Sequence, residues 1–247
     1  MPADKNSADA RRMGEGNAEP DGQLQPPTGN KILKESLTVL QVPRLAFRTP
    51  SLLFRAPRGT KQPVLFIPGL KAGDGSNAPM RSFLRQKNFQ AYGWGLGTNN
   101  GDVEGQLPRV IERIEELFER AGEPIALVGW SLGGVIAREV AREQPELVSQ
   151  VITYGTPVIG GPLYTSVSGV YTTEQRHTIA RRVAERNRIP IEVPITAMYS
   201  KRDGIVSWRA CIDAFSPDIT MIEIGSTHVG MGIDPDVWQI VSERLSA

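Results

Sequence analysis

From residue 62 onward, short apolar runs alternate with stretches of helical periodicity. Val64-Leu65-Phe66-Ile67, ending at Pro68-Gly69, reads as a buried strand, and similar runs lie at 89–94, 125–129, 151–154, 195–199 and 219–224. A short helix fits 79–87. The clearest helical pattern spans 107–121, where Leu107, Val110, Ile111, Ile114, Leu117, Phe118 and Ala121 mark one face and four glutamates lie elsewhere, with Gly122 as a C-terminal cap. A helix over 133–143 stops before Pro145, and a last one over 236–245 buries Val237, Ile240, Val241 and Leu245. Strands apolar on both faces and separated by helices predict an α/β fold, a mostly parallel sheet flanked by helices. No internal repeat is visible.

Three segments depart from this alternation. Residues 157–192 are rich in Gly, Ser and Thr, then form a basic helix with Arg176, Arg181, Arg182 and Arg186; inserted after a strand, they are expected to cap the sheet's C-terminal edge, where ligands bind. Residues 31–61 carry seven basic residues against Glu35 alone, a net +6, interleaved with apolar positions. They predict an amphipathic helical arm divided into two or three pieces by Pro43 and Pro50, either packed on the domain or contacting a membrane surface peripherally. Residues 1–30 hold little apolar surface to offset their ordering entropy and are expected to form a disordered tail outside the fold. The catalytic domain is then 62–247.

Composition narrows the chemistry. A chain of 247 residues with 40% hydrophobic and 22% charged residues is an ordinary globular protein able to bury a sizeable core. Its net charge of +1 gives no reason to expect a nucleic-acid partner. The single cysteine, Cys211, permits no internal disulfide, and with two histidines a Cys/His zinc site is improbable. The N-terminus has no apolar run suited to a signal peptide, and no segment is long and apolar enough to span a membrane, so the expected location is cytoplasmic.

Gly129-Trp130-Ser131-Leu132-Gly133 matches G-x-S-x-G, and it follows a buried strand and opens a helix, the context that turn requires. A serine hydroxyl needs a base. His228 lies in the loop after the last strand, at the same sheet edge as Ser131, whereas His177 falls on the polar helix of the insertion, where an exposed position is expected. For the orienting carboxylate, Asp203 follows the penultimate strand beside Gly204; of its competitors, Asp213 is expected on a following helix and Asp218 at the opposite edge.

The order Ser131, Asp203, His228 resembles that of α/β-hydrolase-fold serine hydrolases of the lipase/esterase kind. The segments Phe66-Ile67-Pro68-Gly69-Leu70, Tyr92-Gly93-Trp94-Gly95-Leu96-Gly97 and Tyr154-Gly155-Thr156-Pro157 are similar to those around the pocket in such enzymes, with the GPI-inositol-deacylase-like and lecithin:cholesterol-acyltransferase-like lipid hydrolases nearest. The resemblance implies an oxyanion hole from the N–H groups of Leu132 and Leu70, although Pro68-Gly69 stands where many members carry His-Gly. Residues 71–76 lack phosphate-loop spacing and are expected to form a flexible loop beside that hole. The expected function is hydrolysis of a small-molecule ester or lipid, with no cofactor or metal. An acyltransferase or thioesterase using the same triad, and a non-catalytic binding protein, remain alternatives.

Overall fold

In a computed structural model, the described residues are 24–29, 33 and 35–247. The tail expected over 1–30 therefore falls almost wholly outside them, although Pro27 at its end is buried. Six strands form one sheet: β1 (Pro63–Ile67), β2 (Gln90–Gly93), β3 (Ile125–Trp130), β4 (Val148–Tyr154), β5 (Ile195–Tyr199) and β6 (Ile219–Glu223). Their order is β2-β1-β3-β4-β5-β6 and every pairing is parallel. All five residues of β1 are buried, while the edge strand β6 is only half covered, as position in the sheet dictates.

Alternate residues of the strands feed two cores. On one face Leu65, Ile67, Leu127 and Val151 meet α3 (Val103–Ala121) and α4 (Leu132–Glu143) through Val110, Ile114, Leu117, Ile136 and Val140. On the other, Val64, Phe66, Val128 and Tyr154 meet α2 (Ala78–Gln86) and α6 (Pro235–Leu245), with Phe83 and Trp238 rings 5.4 Å apart. Desolvation pushes the Tyr154 hydroxyl well above its ordinary range. Helix α3 begins four residues before the periodicity suggests, because the Asp102 carboxylate caps the N–H of Gly105 at 2.9 Å.

The arm comprises a 3-10 segment, Glu35–Leu40, and α1 (Gln41–Arg55). The division expected at Pro50 does not occur. Pro50 and Ala46 face solvent, so the carbonyl that Pro50 leaves unbonded can be hydrated, and the Thr49 hydroxyl donates to Leu45 O at 2.7 Å. Pro43 sits in the first turn, where a backbone N–H has no helical partner in any case. The inward face of α1 is tied to the body: Arg44 pairs with Asp234 at 2.9 Å and with Asp236 at 2.5 Å, and Leu52 is buried.

Asp213 does not lie on a helix. It follows the short turn Trp208–Cys211, where its Oδ1 accepts the N–H groups of Phe215 and Ser216, and it forms a buried ion pair with Arg138 of α4 at 2.8 Å. Burial alone would raise this carboxyl, but the Arg138 charge and hydrogen bonds from Phe215 and Ser216 outweigh it and hold it below the ordinary carboxylate value. The pair's contribution is therefore complete at neutral pH and is lost as pH falls through the depressed folded pKa. Asp213→Asn, which leaves Arg138 buried and unpaired, should cost about 3–5 kcal/mol in urea unfolding near neutral pH. The difference from wild type should shrink when both are unfolded at about pH 3.

Candidate active site

Ser131 occupies the turn between β3 and α4 with φ 53° and ψ −121°, a backbone state that non-glycine residues rarely adopt. The turn is held from outside. Ser131 N donates to Tyr154 O at 2.9 Å, and the Thr156 hydroxyl donates to Ser131 O at 3.0 Å. The small flanking residues are a packing requirement: a Cβ at Gly133 would lie 2.2 Å from Ile67 O, so any side chain there would drive α4 away from the end of β1.

His228 and Asp203 emerge from the loops after β6 and β5. His228 Nδ1 and Asp203 Oδ2 are 2.7 Å apart, and both side chains are almost fully buried. The second carboxylate oxygen of Asp203 accepts the N–H of Ile205 at 2.8 Å and of Val206 at 2.7 Å, which fixes its rotation. The His228 ring packs against Trp130 (centroids 5.7 Å apart) and over Gly155, where a Cβ would come within 2.9 Å of the imidazole. Among the described residues Ser131 Oγ makes no hydrogen bond to His228; the two are linked through Trp130 and the Tyr154–Gly155 segment they share. Such bonds commonly close only when substrate is bound. His177 is exposed on α5 (Thr173–Arg186), and Asp218 lies at the opposite end of the sheet, where its carbonyl accepts the N–H of Ile195 at the start of β5.

Leu70 and Leu132 both line the cavity that Ser131 opens into, and neither backbone N–H donates a hydrogen bond among the described residues. The loop bearing Leu70 is held by a residue that the sequence did not single out. Asn99, fully buried, donates from Nδ2 to Pro68 O at 2.8 Å, while its backbone bonds to Lys71 and Ala72. The stretch 71–76, expected to be flexible, is fastened as well: the Asp74 carboxylate accepts the N–H groups of Trp94 and Gly95 at 3.0 and 3.1 Å. Asn99 had no signal in the linear pattern.

The cavity has a volume of about 480 Å³. Its lining combines the apolar Leu132, Val135, Val158, Val206 and, from α5, Ile179 and Val183 with charged side chains of α3, α4 and α5. Helix α5 is tied over it by Arg182 to Glu104 of α3 and by Arg186 to Glu139 and Glu143 of α4, the last two at 2.6 Å. No cluster of three or more His, Cys, Asp or Glu side chains suited to a metal occurs among the described residues.

These features define the α/β-hydrolase fold, and solved structures of that fold superimpose on the chain. A structure of the metagenome-derived lipolytic enzymes LipS and LipT matches with a TM-score of 0.60 at 14% identity, covering 76% of this chain and 93% of that one. Paleococcus ferrophilus monoacylglycerol lipase matches with a TM-score of 0.56 at 14% identity, over 77% and 96%. The chain belongs to the family described as Uncharacterised protein family (UPF0227), which it matches over residues 98–243. It is also similar to the pimeloyl-[acyl-carrier protein] methyl ester esterases of Aliivibrio fischeri (strain MJ11), 38% identical over 58 residues, and Aliivibrio salmonicida (strain LFI1238), 30% identical over 82 residues. Those matches cover 24% and 33% of this chain and only 21% and 27% of the esterases.

The backbone of Ser131 yields a stability test. Replacing Ser131 by glycine relieves the positive φ, whereas alanine keeps it, so Ser131→Gly should unfold at a higher temperature than Ser131→Ala, by about 1 kcal/mol of stability. Equal midpoints for the two variants would mean that the turn stores no strain.

Proposed function

We propose that the protein is a serine hydrolase of carboxylic esters, with Ser131 as nucleophile, His228 as base and Asp203 as the orienting acid. The observation that carries this reading is the buried His228–Asp203 hydrogen bond of 2.7 Å at the sheet edge where Ser131 faces an apolar cavity. In this mechanism His228 takes the Ser131 proton as Oγ attacks the ester carbonyl. The N–H groups of Leu70 and Leu132 meet the developing oxyanion, each donor worth about 2.7–4 kcal/mol. His228 then protonates the leaving alcohol, activates water and thereby releases the acid, while Asp203 stays ionised. The apolar walls suit an aliphatic acyl chain, and the esterase names of the short sequence matches support an ester of this class.

Cleavage of a p-nitrophenyl ester series from acetate to palmitate tests it. Wild type should turn over with a chain-length optimum set by the cavity, and Ser131→Ala should lose about 10⁶-fold in kcat, the loss expected when a triad nucleophile is removed. Absence of turnover with every ester, and of Ser131 labelling by a fluorophosphonate, would overturn the assignment.

We further propose peripheral contact with an anionic membrane surface through the arm. The outward face of α1 is apolar, with Val42, Pro43, Ala46, Phe47, Pro50 and Phe54 exposed (Phe47 86%, Phe54 90%), and exposed Arg55, Arg58 and Lys61 follow it. That combination suits an interface of acyl chains and acidic headgroups. The protein would work from the cytoplasm, where the lone, buried Cys211 needs no oxidising compartment. Among the described residues no helix is long and apolar enough to cross a membrane. Phe47→Ser/Phe54→Ser should reduce co-sedimentation with phosphatidylserine-containing vesicles without lowering hydrolysis of a soluble ester; unchanged co-sedimentation would refute the contact.

A further inference from the structure

We infer that Glu35, supplied by the arm, is a positioning residue of the catalytic centre that holds the Asp203 loop and the His228 loop to one another. The inference rests on the reading of Ser131, Asp203 and His228 as a triad. Glu35 Oε1 accepts the N–H of Gly204 at 2.8 Å and that of His228 at 2.9 Å, and Oε2 accepts the N–H of Val229 at 3.0 Å. Gly204 directly follows the acid, and His228 is the base itself. The two loops leave different strands, so one carboxylate spans the pair whose 2.7 Å hydrogen bond sets the imidazole's orientation.

The chemistry of the contact explains why an acid stands here. Three backbone donors converge on one point, and a carboxylate offers two oxygens that accept all three in charge-assisted bonds, two of them on Oε1. Glu35 is also the lone acid among the residues of a strongly basic arm, so its presence runs against the local charge pattern. Neighbouring contacts seat the arm at the same place: Thr38 Oγ1 lies 2.7 Å from Thr227 Oγ1, and Gln41 Nε2 donates to Asp234 at 3.3 Å. Loss of the Glu35 carboxylate would leave three N–H groups unpaired and free the two loops to drift apart. The base would then be misaligned without any substrate contact being removed, because Glu35 does not line the cavity.

The test uses the full chain as wild type, Glu35→Ala and Glu35→Gln. Two readouts are needed: steady-state ester kinetics, and the downfield proton resonance of His228 Nδ1–H, identified by its loss in Asp203→Asn. Glu35→Ala should lower kcat by about 10²-fold, the order of cost for a small misplacement of reacting groups. KM should stay within about twofold, because no binding contact is lost. The downfield resonance should broaden or vanish in the same variant. Glu35→Gln, which retains a carbonyl oxygen for Gly204 and His228 but turns an amide NH2 toward the Val229 N–H, should recover part of the rate and the resonance, above the Ala variant. A Glu35→Ala protein with wild-type kcat and an unaltered resonance overturns the inference, as does a Gln variant no better than the Ala variant. Should wild type cleave no ester at all, the hydrolase reading falls while the resonance still decides the role of Glu35.

Discussion

The site depends on one close approach, that of the first turn of α4 to the carbonyl end of β1. At Gly133 the space left for a side chain is closed by Ile67 O, 2.2 Å from where a Cβ would stand. Because the helix can come this near, Ser131 is carried over the top of the sheet, and Leu132 and Leu70 are brought to the wall of one cavity. The cost is a strained Ser131 backbone. It is borne by the bonds linking Ser131 to Tyr154 and Thr156 and by the largely buried strands on either side.

Parallel strand order then determines which loops can reach that point. With β3 central and β4, β5 and β6 following in order, the loops after β5 and β6 open on the same edge as the turn after β3. Asp203 and His228 meet there because the Asp203 and Glu35 carboxylates accept main-chain N–H groups of the two loops, not because their sequence positions are close. Helix α5 closes over the cavity through ion pairs to α3 and α4, and it lines the cavity with the apolar Ile179 and Val183 and with the ion-paired Arg182 and Arg186.

The arm is apolar on both sides of its helix. Its inward side carries Leu45, Leu52 and Leu53 on the core together with Arg44, Arg48 and Gln41 against Asp234 and Asp236, while Val42, Phe47 and Phe54 face outward. A soluble helix ordinarily turns one apolar stripe inward and leaves the opposite side polar. The ion pairs that settle the orientation are formed with a loop and helix about 190 residues further along the chain. No periodicity within the arm could show that.

The sequence by itself determined the strands, most helix positions and the residues of the candidate triad. Buried strands must be apolar throughout, and a G-x-S-x-G turn needs small residues on either side of the serine, so both constraints are written locally. Helix starts were less legible: the Asp102 cap governs where α3 begins, and the solvent-facing carbonyl of Ala46 lets α1 pass through Pro50. Tertiary structure alone decided the work of Asn99, Asp213 and Glu35. Each is a polar side chain whose partners lie far away in the chain or in a neighbouring loop, and a hydrogen bond or buried ion pair leaves no periodic trace. Only the misplaced sign of Glu35 in a basic segment was visible beforehand, and a charge out of pattern tells that a partner exists without telling where.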